Sequence, residues 1–441
     1  MTPPRACGGG RKTPTREEAN VRWDAEVGVI GAGPAGARAA ELLADAGREV
    51  VLVDPRVPWE KPCGGGLASP IFEVMPALTE LQSRAQRVDS ARIEVDASRG
   101  FTVPVDRPVW IVSRRALSAW QLDRARVAGA RHVGERVRDL RGIEGGWDLR
   151  TDTRSLRVPL LIGADGGARL VRRVAAPKMR VELAPTRVAY PAGSGPTPNS
   201  MALRFYTGVA GYLWDFPRPH QRSVGIGVPN STWRRGEMDR RIDEYRDSSE
   251  PCSCSGLERA GAVIGTAQLG HGDFGKLAGD NYALLGDAAG LADPLSGEGI
   301  QNALRSAALF AGAYLDGRLA EYPSLARAAF EREFAVSRML RRLLLEADAP
   351  RLVAWAARSD LAWAGMAAPA NSIDVRDGRV TRLVWRWARS LRRVRAQPSV
   401  AGRIERIAVP CTCAADRGTE LTCCAGAAAA RAEWPRPRVL T

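Results

Sequence analysis

The sequence predicts an α/β protein, and three observations carry that reading. Within 25–47 a short apolar strand, a glycine-rich turn and a helix follow one another and lead into a second apolar strand, Val50–Val53; this is how a parallel, helix-covered sheet begins. Apolar and polar residues alternate through 85–112 and again through 180–228, as half-exposed antiparallel strands require. From 299 onward the periodicity is helical, first in an Ala-rich helix over 299–315 and then across most of 323–395. The expected organisation is a Rossmann-type nucleotide-binding domain (24–68, 108–175 and 262–320) interleaved with a mainly antiparallel β-sheet domain (69–107 and 176–261) that takes the substrate. A C-terminal helical region (321–408) follows, and 1–23 and 409–441 read as a disordered leader and tail.

Composition bounds the function classes. A chain of 441 residues with 45% hydrophobic and 26% charged residues suits two packed globular domains. No uncharged apolar run approaches the ~18 residues of a membrane span, and the leader has no apolar stretch of the kind that secretion requires. A cytoplasmic location is expected. The formal charge is +15, and ten arginines against Asp377 and Glu405 crowd 376–406. In 380–394, Val380, Leu383, Val384, Trp387 and Leu391 recur at helical spacing, with Arg382, Arg386, Arg389, Arg392 and Arg393 largely on other faces. Two readings stand side by side: peripheral contact with an anionic membrane, or a packed helix with a solvated Arg face. No nucleic-acid-binding motif accompanies the charge, so no nucleic acid partner is expected, and the chain is expected to be a monomer. Cys411, Cys413, Cys423 and Cys424 lack the two-to-four-residue ligand spacing of zinc sites and have no neighbouring His, so no metal is expected.

The N-terminal turn, Gly31-Ala32-Gly33-Pro34-Ala35-Gly36, is a G-x-G-x-x-G between strand and helix. Glycines there let the backbone turn tightly and approach a pyrophosphate, while the helix N-terminus supplies free N–H groups. Asp54, at the end of the second strand, is placed to accept from ribose hydroxyls. Two distant segments select the dinucleotide. Ile162-Gly163-Ala164-Asp165-Gly166 and Leu284-Leu285-Gly286-Asp287-Ala288-Ala289-Gly290 each follow an apolar strand, and the second continues through Asp293 to Gly297-Glu298-Gly299-Ile300 before a helix. Asp287 suits ribityl hydroxyls. Gly297, Gly299 and the helix N-terminus suit the flavin N1–C2 carbonyl, where negative charge develops on reduction. FAD is therefore the expected cofactor.

With these three ordered motifs, 24–320 resembles the FAD-dependent hydroxylases and reductases typified by p-hydroxybenzoate hydroxylase. The resemblance implies FAD contacted by Ala35, Asp54, Arg114, Val137, Asp287, Gly299 and Ile300; Asp165 of the second motif is a further candidate contact, and no His or Cys attachment motif is present, so the FAD is expected to be non-covalent. Lys61-Pro62-Cys63-Gly64-Gly65-Gly66-Leu67, and Tyr212-Leu213-Trp214-Asp215-Phe216-Pro217 followed by Gly225-Ile226-Gly227, are similar to the Cys-Gly-Gly-Gly loop and the Y-x-W-x-F-P…G-x-G motif of the geranylgeranyl reductase family. That family implies reduction of isolated C=C bonds in a polyprenyl chain, with hydride from flavin N5 and a proton from a side chain or water. Cys63, Gly64 and Gly66 would lie beside the cofactor. Cys63 is the candidate catalytic residue, as proton donor or thiol relay, with a small structural residue the alternative. Tyr212, Trp214 and Phe216 point to one face of a strand and form a candidate wall for a prenyl lipid; plain sheet core is the other reading. The three histidines sit in no recognised motif. NAD(P)H or a reduced electron-donor protein would supply electrons. A flavin-dependent monooxygenase or halogenase on an apolar or aromatic substrate is the alternative, although Tyr212 and Phe216 depart from the W-x-W-x-I-P halogenase pattern.

Overall fold

The computed structural model describes residues 22–96, 99–168, 170–193, 198–206, 209, 211–228, 233–249, 259–266 and 273–342. The Arg-rich segment 376–406, its amphipathic stretch 380–394, Cys7, Cys252, Cys254 and the four C-terminal cysteines lie outside these residues.

Strand β1 (Val27–Ile30) is wholly buried because parallel partners flank it on both sides. Helix α1 (Pro34–Asp45) starts with Pro34, whose missing N–H costs nothing in a first turn. It buries Ala35, Ala37, Ala39, Ala40 and Leu43, mostly small side chains that let it lie close to the sheet. Then come β2 (Val50–Val53), β3 (Gly66–Ala68), α2 (Ile71–Val74), β4 (Gln86–Val95), β5 (Arg99–Ile111), α3 (Arg114–Val127) and β6 (Arg131–Val133). Strands β7 (Asp139–Ile143), β8 (Gly146–Arg150), β9 (Ser155–Val158) and β10 (Leu160–Gly163) precede α4 (Leu170–Ala175). Next come β11 (Glu182–Ala189), β12 (Ser200–Phe205), β13 (Tyr212–Pro217) and β14 (Arg222–Gly227), followed by α5 (Arg235–Ser249) and β15 (Arg259–Thr266). The chain closes with β16 (Tyr282–Leu284), α6 (Ile300–Leu315) and α7 (Tyr322–Arg341).

Five parallel strands form one sheet in the order β16-β10-β1-β2-β6. The order reverses between β1 and β10, so a crevice opens beyond the C-terminal ends of those strands. Eight strands form the second sheet, β15-β11-β14-β13-β12-β4-β5-β3, antiparallel apart from the β4–β12 pair. Strand β3 and the end of β5 pair within this sheet, so the expected border at 107/108 runs through β5, and β3, on the nucleotide-binding side of the 68/69 border, is an edge strand of the larger sheet. A small antiparallel sheet, β7-β8-β9, was not foreseen.

Register fixes the faces of the large sheet. Tyr212 and Trp214 pair with Phe205 and Leu203 on β12, while Tyr212, Trp214 and Phe216 pair with Gly227, Gly225 and Ser223 on β14. The opposite face carries Leu213, which packs with Met238, Ile242 and Tyr245 of α5. On the other flank, α7 is fixed by the Tyr322 hydroxyl, which donates to Leu284 O at 2.9 Å, and by a buried Arg341–Glu182 ion pair at 2.8 Å. No described helix is long and apolar enough to cross a membrane, and no described cluster of His, Cys, Asp and Glu could hold a metal ion.

Candidate active site

A cavity of about 590 Å³ occupies the crevice, within the usual size range of cofactor pockets. Gly31, Gly33, Ala35, Asp54, Cys63, Arg114, Val137, Asp165, Asp287, Gly297, Gly299 and Ile300 all line it. Gly36, Gly64 and Gly66 do not. A Cβ on Gly36 would lie 1.8 Å from Gly31 O, so Gly36 lets α1 pack on the turn, whereas a Cβ on Gly64 would lie 2.5 Å from the Phe216 ring. Gly66 sits within β3, beside Val109 of β5.

Several wall groups are already engaged in ways that shape the cavity. Asp54 Oδ2 accepts the Ala32 N–H and Oδ1 the Arg56 N–H, both at 2.9 Å, so this carboxylate also clamps the glycine turn to the end of β2. Lys61 Nζ lies 3.0 Å from Asp287 Oδ2. Asp165 Oδ2 accepts the Leu170 N–H at 2.6 Å, while Oδ1 is buried without a partner among the described residues, and burial pushes this carboxyl up. Arg114 Nε is likewise buried and unpartnered. Gly33 and Gly297 have no protein atom within 4 Å of where a Cβ would stand. Open backbone at the phosphate turn and unpaired polar atoms in the wall fit a dinucleotide.

The cavity also contains Lys61, Ser118, Arg56, Trp59 and Arg136, which sequence reasoning missed. Ser118 stands one turn beyond Arg114 on α3, so the i, i+4 face of that helix was the available signal. Lys61 opens the quoted Cys loop.

That loop is held from three directions. Arg218, 1% exposed, donates to Glu60 Oε1 at 2.9 Å and to Cys63 O at 3.1 Å. Glu60 in turn accepts from Ser113 Oγ and from the N–H groups of Arg114 and Arg115 at the start of α3. Burial opposes ionisation of Glu60, but Arg218, Ser113 and these backbone donors outweigh it and hold the carboxyl below its usual range. Ser223 Oγ also donates to Cys63 O at 3.0 Å, and it accepts from Trp214 Nε1 at 3.2 Å. The Cys63 thiol accepts the Gly65 N–H at 3.4 Å.

The three wall aromatics differ in placement. Trp214 is buried, with its indole against Gly225, where a Cβ would stand 2.3 Å from the ring; the G-x-G supplies room for this indole. Tyr212 and Phe216 are half-buried. The Tyr212 hydroxyl donates to Ser296 O in the loop leading to Gly297. None of the three lines the cofactor cavity itself; Phe216 abuts the Cys63 loop at Gly64 and Tyr212 the loop at Ser296.

That second loop carries a titration signature. Asp293 Oδ1 accepts the Leu295 and Ser296 N–H groups at 2.9 and 2.8 Å. Glu298 Oε1 is closed to solvent and has no hydrogen-bond partner among the described residues. Burial, reinforced by Asp293, pushes the Glu298 carboxyl up to about 8 from 4.5. The folded protein thus holds a proton that the unfolded chain releases. Stability from this group is fully present below 4.5 and is lost as pH rises towards 8, at about 1.4 kcal/mol per pH unit. Glu298→Gln, which keeps the neutral shape, is expected to exceed the parent in thermal midpoint at pH 8 and to match it near pH 5. Parallel midpoint-versus-pH curves for the two proteins would show that Glu298 is ordinary.

Comparison with known proteins accords with the site. Residues 24–189 match the FAD binding domain family model. Menaquinone reductase of Mycolicibacterium smegmatis is 30% identical over 353 residues, covering 73% of this chain and 84% of that protein. Geranylgeranyl diphosphate reductase of Rhodobacter capsulatus is 31% identical with the same coverage of each. The chain belongs to the geranylgeranyl reductase family of FAD-dependent oxidoreductases. A solved geranylgeranyl bacteriochlorophyll reductase-like protein from Thermoplasma acidophilum shares the fold, with a TM-score of 0.64 and 22% identity over 74% of this chain and 88% of that one. A flavin-dependent brominase shares it as well, at a TM-score of 0.59 and 16% identity over 72% of this chain and 88% of that one. In this geranylgeranyl reductase family member the Cys63 loop stands at the cavity wall, with Phe216 of the aromatic strand against Gly64 of that loop.

Proposed function

We propose that the protein reduces isolated carbon–carbon double bonds in a polyprenyl chain, with FAD as its redox cofactor. One observation carries the reading. An uncharged set of side chains on one sheet face, Leu203, Phe205, Tyr212, Trp214 and Phe216, stands against the two loops that border the cofactor cavity, through Phe216 on Gly64 and Tyr212 on Ser296. The names of the relatives support it, since menaquinone, geranylgeranyl diphosphate and digeranylgeranylglycerophospholipid reductases are among them.

The chain's own groups divide the work. The glycine turn and the N-terminus of α1 would hold the pyrophosphate, Asp54 the adenosine ribose, Asp287 the ribityl hydroxyls, and the Gly297–Ile300 backbone the flavin carbonyl edge. Bound there, the reduced cofactor supplies a hydride. The wall binds the prenyl chain and excludes water, worth about 0.8 kcal/mol per buried CH₂, so several isoprene units bind without a polar handle. A proton must arrive from the Cys63 end of the wall. NAD(P)H or a reduced protein serves as electron donor in this reading.

Anaerobic, photoreduced protein mixed with geranylgeranyl diphosphate should return to the oxidised flavin spectrum and yield a product heavier by two hydrogens per bond reduced. If no prenyl substrate reoxidises the flavin, while an aromatic substrate is oxygenated or halogenated in air, the reductase reading is wrong.

A further inference from the structure

We infer that Lys61 is a positioning residue for the flavin: by pairing with Asp287 it cancels a carboxylate charge beside the backbone assigned to the flavin carbonyl edge, and so makes the cofactor easier to reduce. The inference rests on the FAD placement above and not on the choice of prenyl substrate. Lys61 opens the Cys63 loop, and Asp287 follows β16, 226 residues away. Lys61 Nζ lies 3.0 Å from Asp287 Oδ2, and both residues line the cavity. The other cavity carboxylates are met from elsewhere among the described residues. Asp54 accepts two backbone N–H groups, and Asp165 accepts the Leu170 N–H. Glu135 accepts from Thr151 and Thr153 and pairs with Arg154, which does not line the cavity. Only at Asp287 does a described ion pair join two residues of the wall.

Asp287 also touches the second loop. Its Oδ1 lies 2.8 Å from where a Cβ on Gly299 would stand, so the carboxylate is set against the Gly297–Ile300 backbone. Two electrons and one proton turn an oxidised flavin into its anionic reduced form, with the added charge on the N1–C2 carbonyl edge. A bare carboxylate beside that edge would oppose the charge, and the more so where water screens little. The Lys61 ammonium removes that opposition. It carries three N–H donors, and Asp287 Oδ2 is its one side-chain hydrogen-bond partner among the described residues, so donors remain for other acceptors in the cavity.

A strap that merely holds the loop is the competing role, and the other contacts make it redundant. Cys63 O is already held by Arg218 and Ser223, and Arg218 also holds Glu60, the residue before Lys61. The Lys61 side chain keeps 23% of its exposure and that of Asp287 11%. A pair open to water on its cationic side adds little to stability.

Three FAD-loaded variants test this, each reduced anaerobically in equilibrium with a reference dye. Lys61→Met is expected to shift the reduction equilibrium about tenfold or more towards oxidised flavin, a fall in potential of about 30 mV for two electrons, with a thermal midpoint near the parent's. Lys61→Arg keeps the charge and should stay near the parental potential. The double variant Lys61→Met with Asp287→Asn is neutral at both positions and should recover most of the loss. A parental potential in Lys61→Met would overturn the inference. So would an equal fall in the double variant, since the cation would then act on the cofactor without Asp287. Loss of FAD from Lys61→Met together with a lowered thermal midpoint would overturn it too, because Lys61 would then be a strap. A parent that binds no FAD overturns the cofactor placement and the inference with it, whereas a parent that binds FAD but reduces no prenyl chain overturns the reductase reading alone.

Discussion

Gly33→Leu is expected to give a folded, colourless protein. Gly33 precedes the first turn of α1 with φ −71° and ψ −175°, an extended conformation open to any L-residue. No protein atom lies within 4 Å of its missing Cβ, and the residue lines the cavity, so the new side chain enters the place where a pyrophosphate meets the helix N-terminus. FAD content should fall to background, with affinity at least ~100-fold weaker by titration, a loss of about 2.7 kcal/mol. Circular dichroism and melting should match those of the parent apoprotein. Gly31→Ala is the contrast: φ is +98° and a Cβ would stand 2.4 Å from Ala164 O, so this substitution should damage the fold itself. A Gly33→Leu protein purified with stoichiometric FAD would refute the placement of the cofactor.

The second large effect is expected at Arg218→Met. Methionine approximates the volume but not the charge, and it leaves Glu60 buried beside Ser113 and the α3 N-terminus, with Cys63 O losing a donor. Breaking a buried pair from one side costs about 3–5 kcal/mol. The pH dependence gives a second handle. Glu60 is held below its usual range in the folded protein, so its contribution is present above the unfolded value and lost as pH falls through the folded one. The stability deficit of Arg218→Met should therefore be larger at pH 7 than at pH 4 in urea unfolding. A deficit under ~1 kcal/mol at pH 7, or one independent of pH, would show that the pair carries little.

Local signals explain what the sequence disclosed. The strand–turn–helix at β1 and α1 is legible because glycines, Pro34 and the apolar run act within some twenty residues, and the cavity residues follow because each sits at the end of an apolar strand. Helix α5 escaped notice inside the expected β region because it is mostly charged, and only Met238, Ile242 and Tyr245 of its buried face are apolar or aromatic. Strands β7–β9 are only four or five residues long, too short for an alternation such as that of Ser155-Leu156-Arg157-Val158 to stand out from its surroundings. The Glu60–Arg218 pair joins residues 158 apart, and no local pattern announces such a partner. At Gly64 a Cβ would stand 2.5 Å from the Phe216 ring, a need for glycine that only the packing of strand on loop reveals.

The seat of Trp214 over Gly225 has a consequence for redesign. The two positions share one volume: with the indole in place, nothing larger than hydrogen is accommodated at 225. Removing the indole alone would open a void costing about 3–5 kcal/mol, and enlarging 225 alone would force a clash. Moving bulk across the ladder is closed off as well, because a Cβ at 225 would still stand 2.8 Å from Arg187 O once the indole is gone. The aromatic face can therefore be reshaped at 214 and not at 225, and the residue at 214 alone sets how far that face stands out from the sheet.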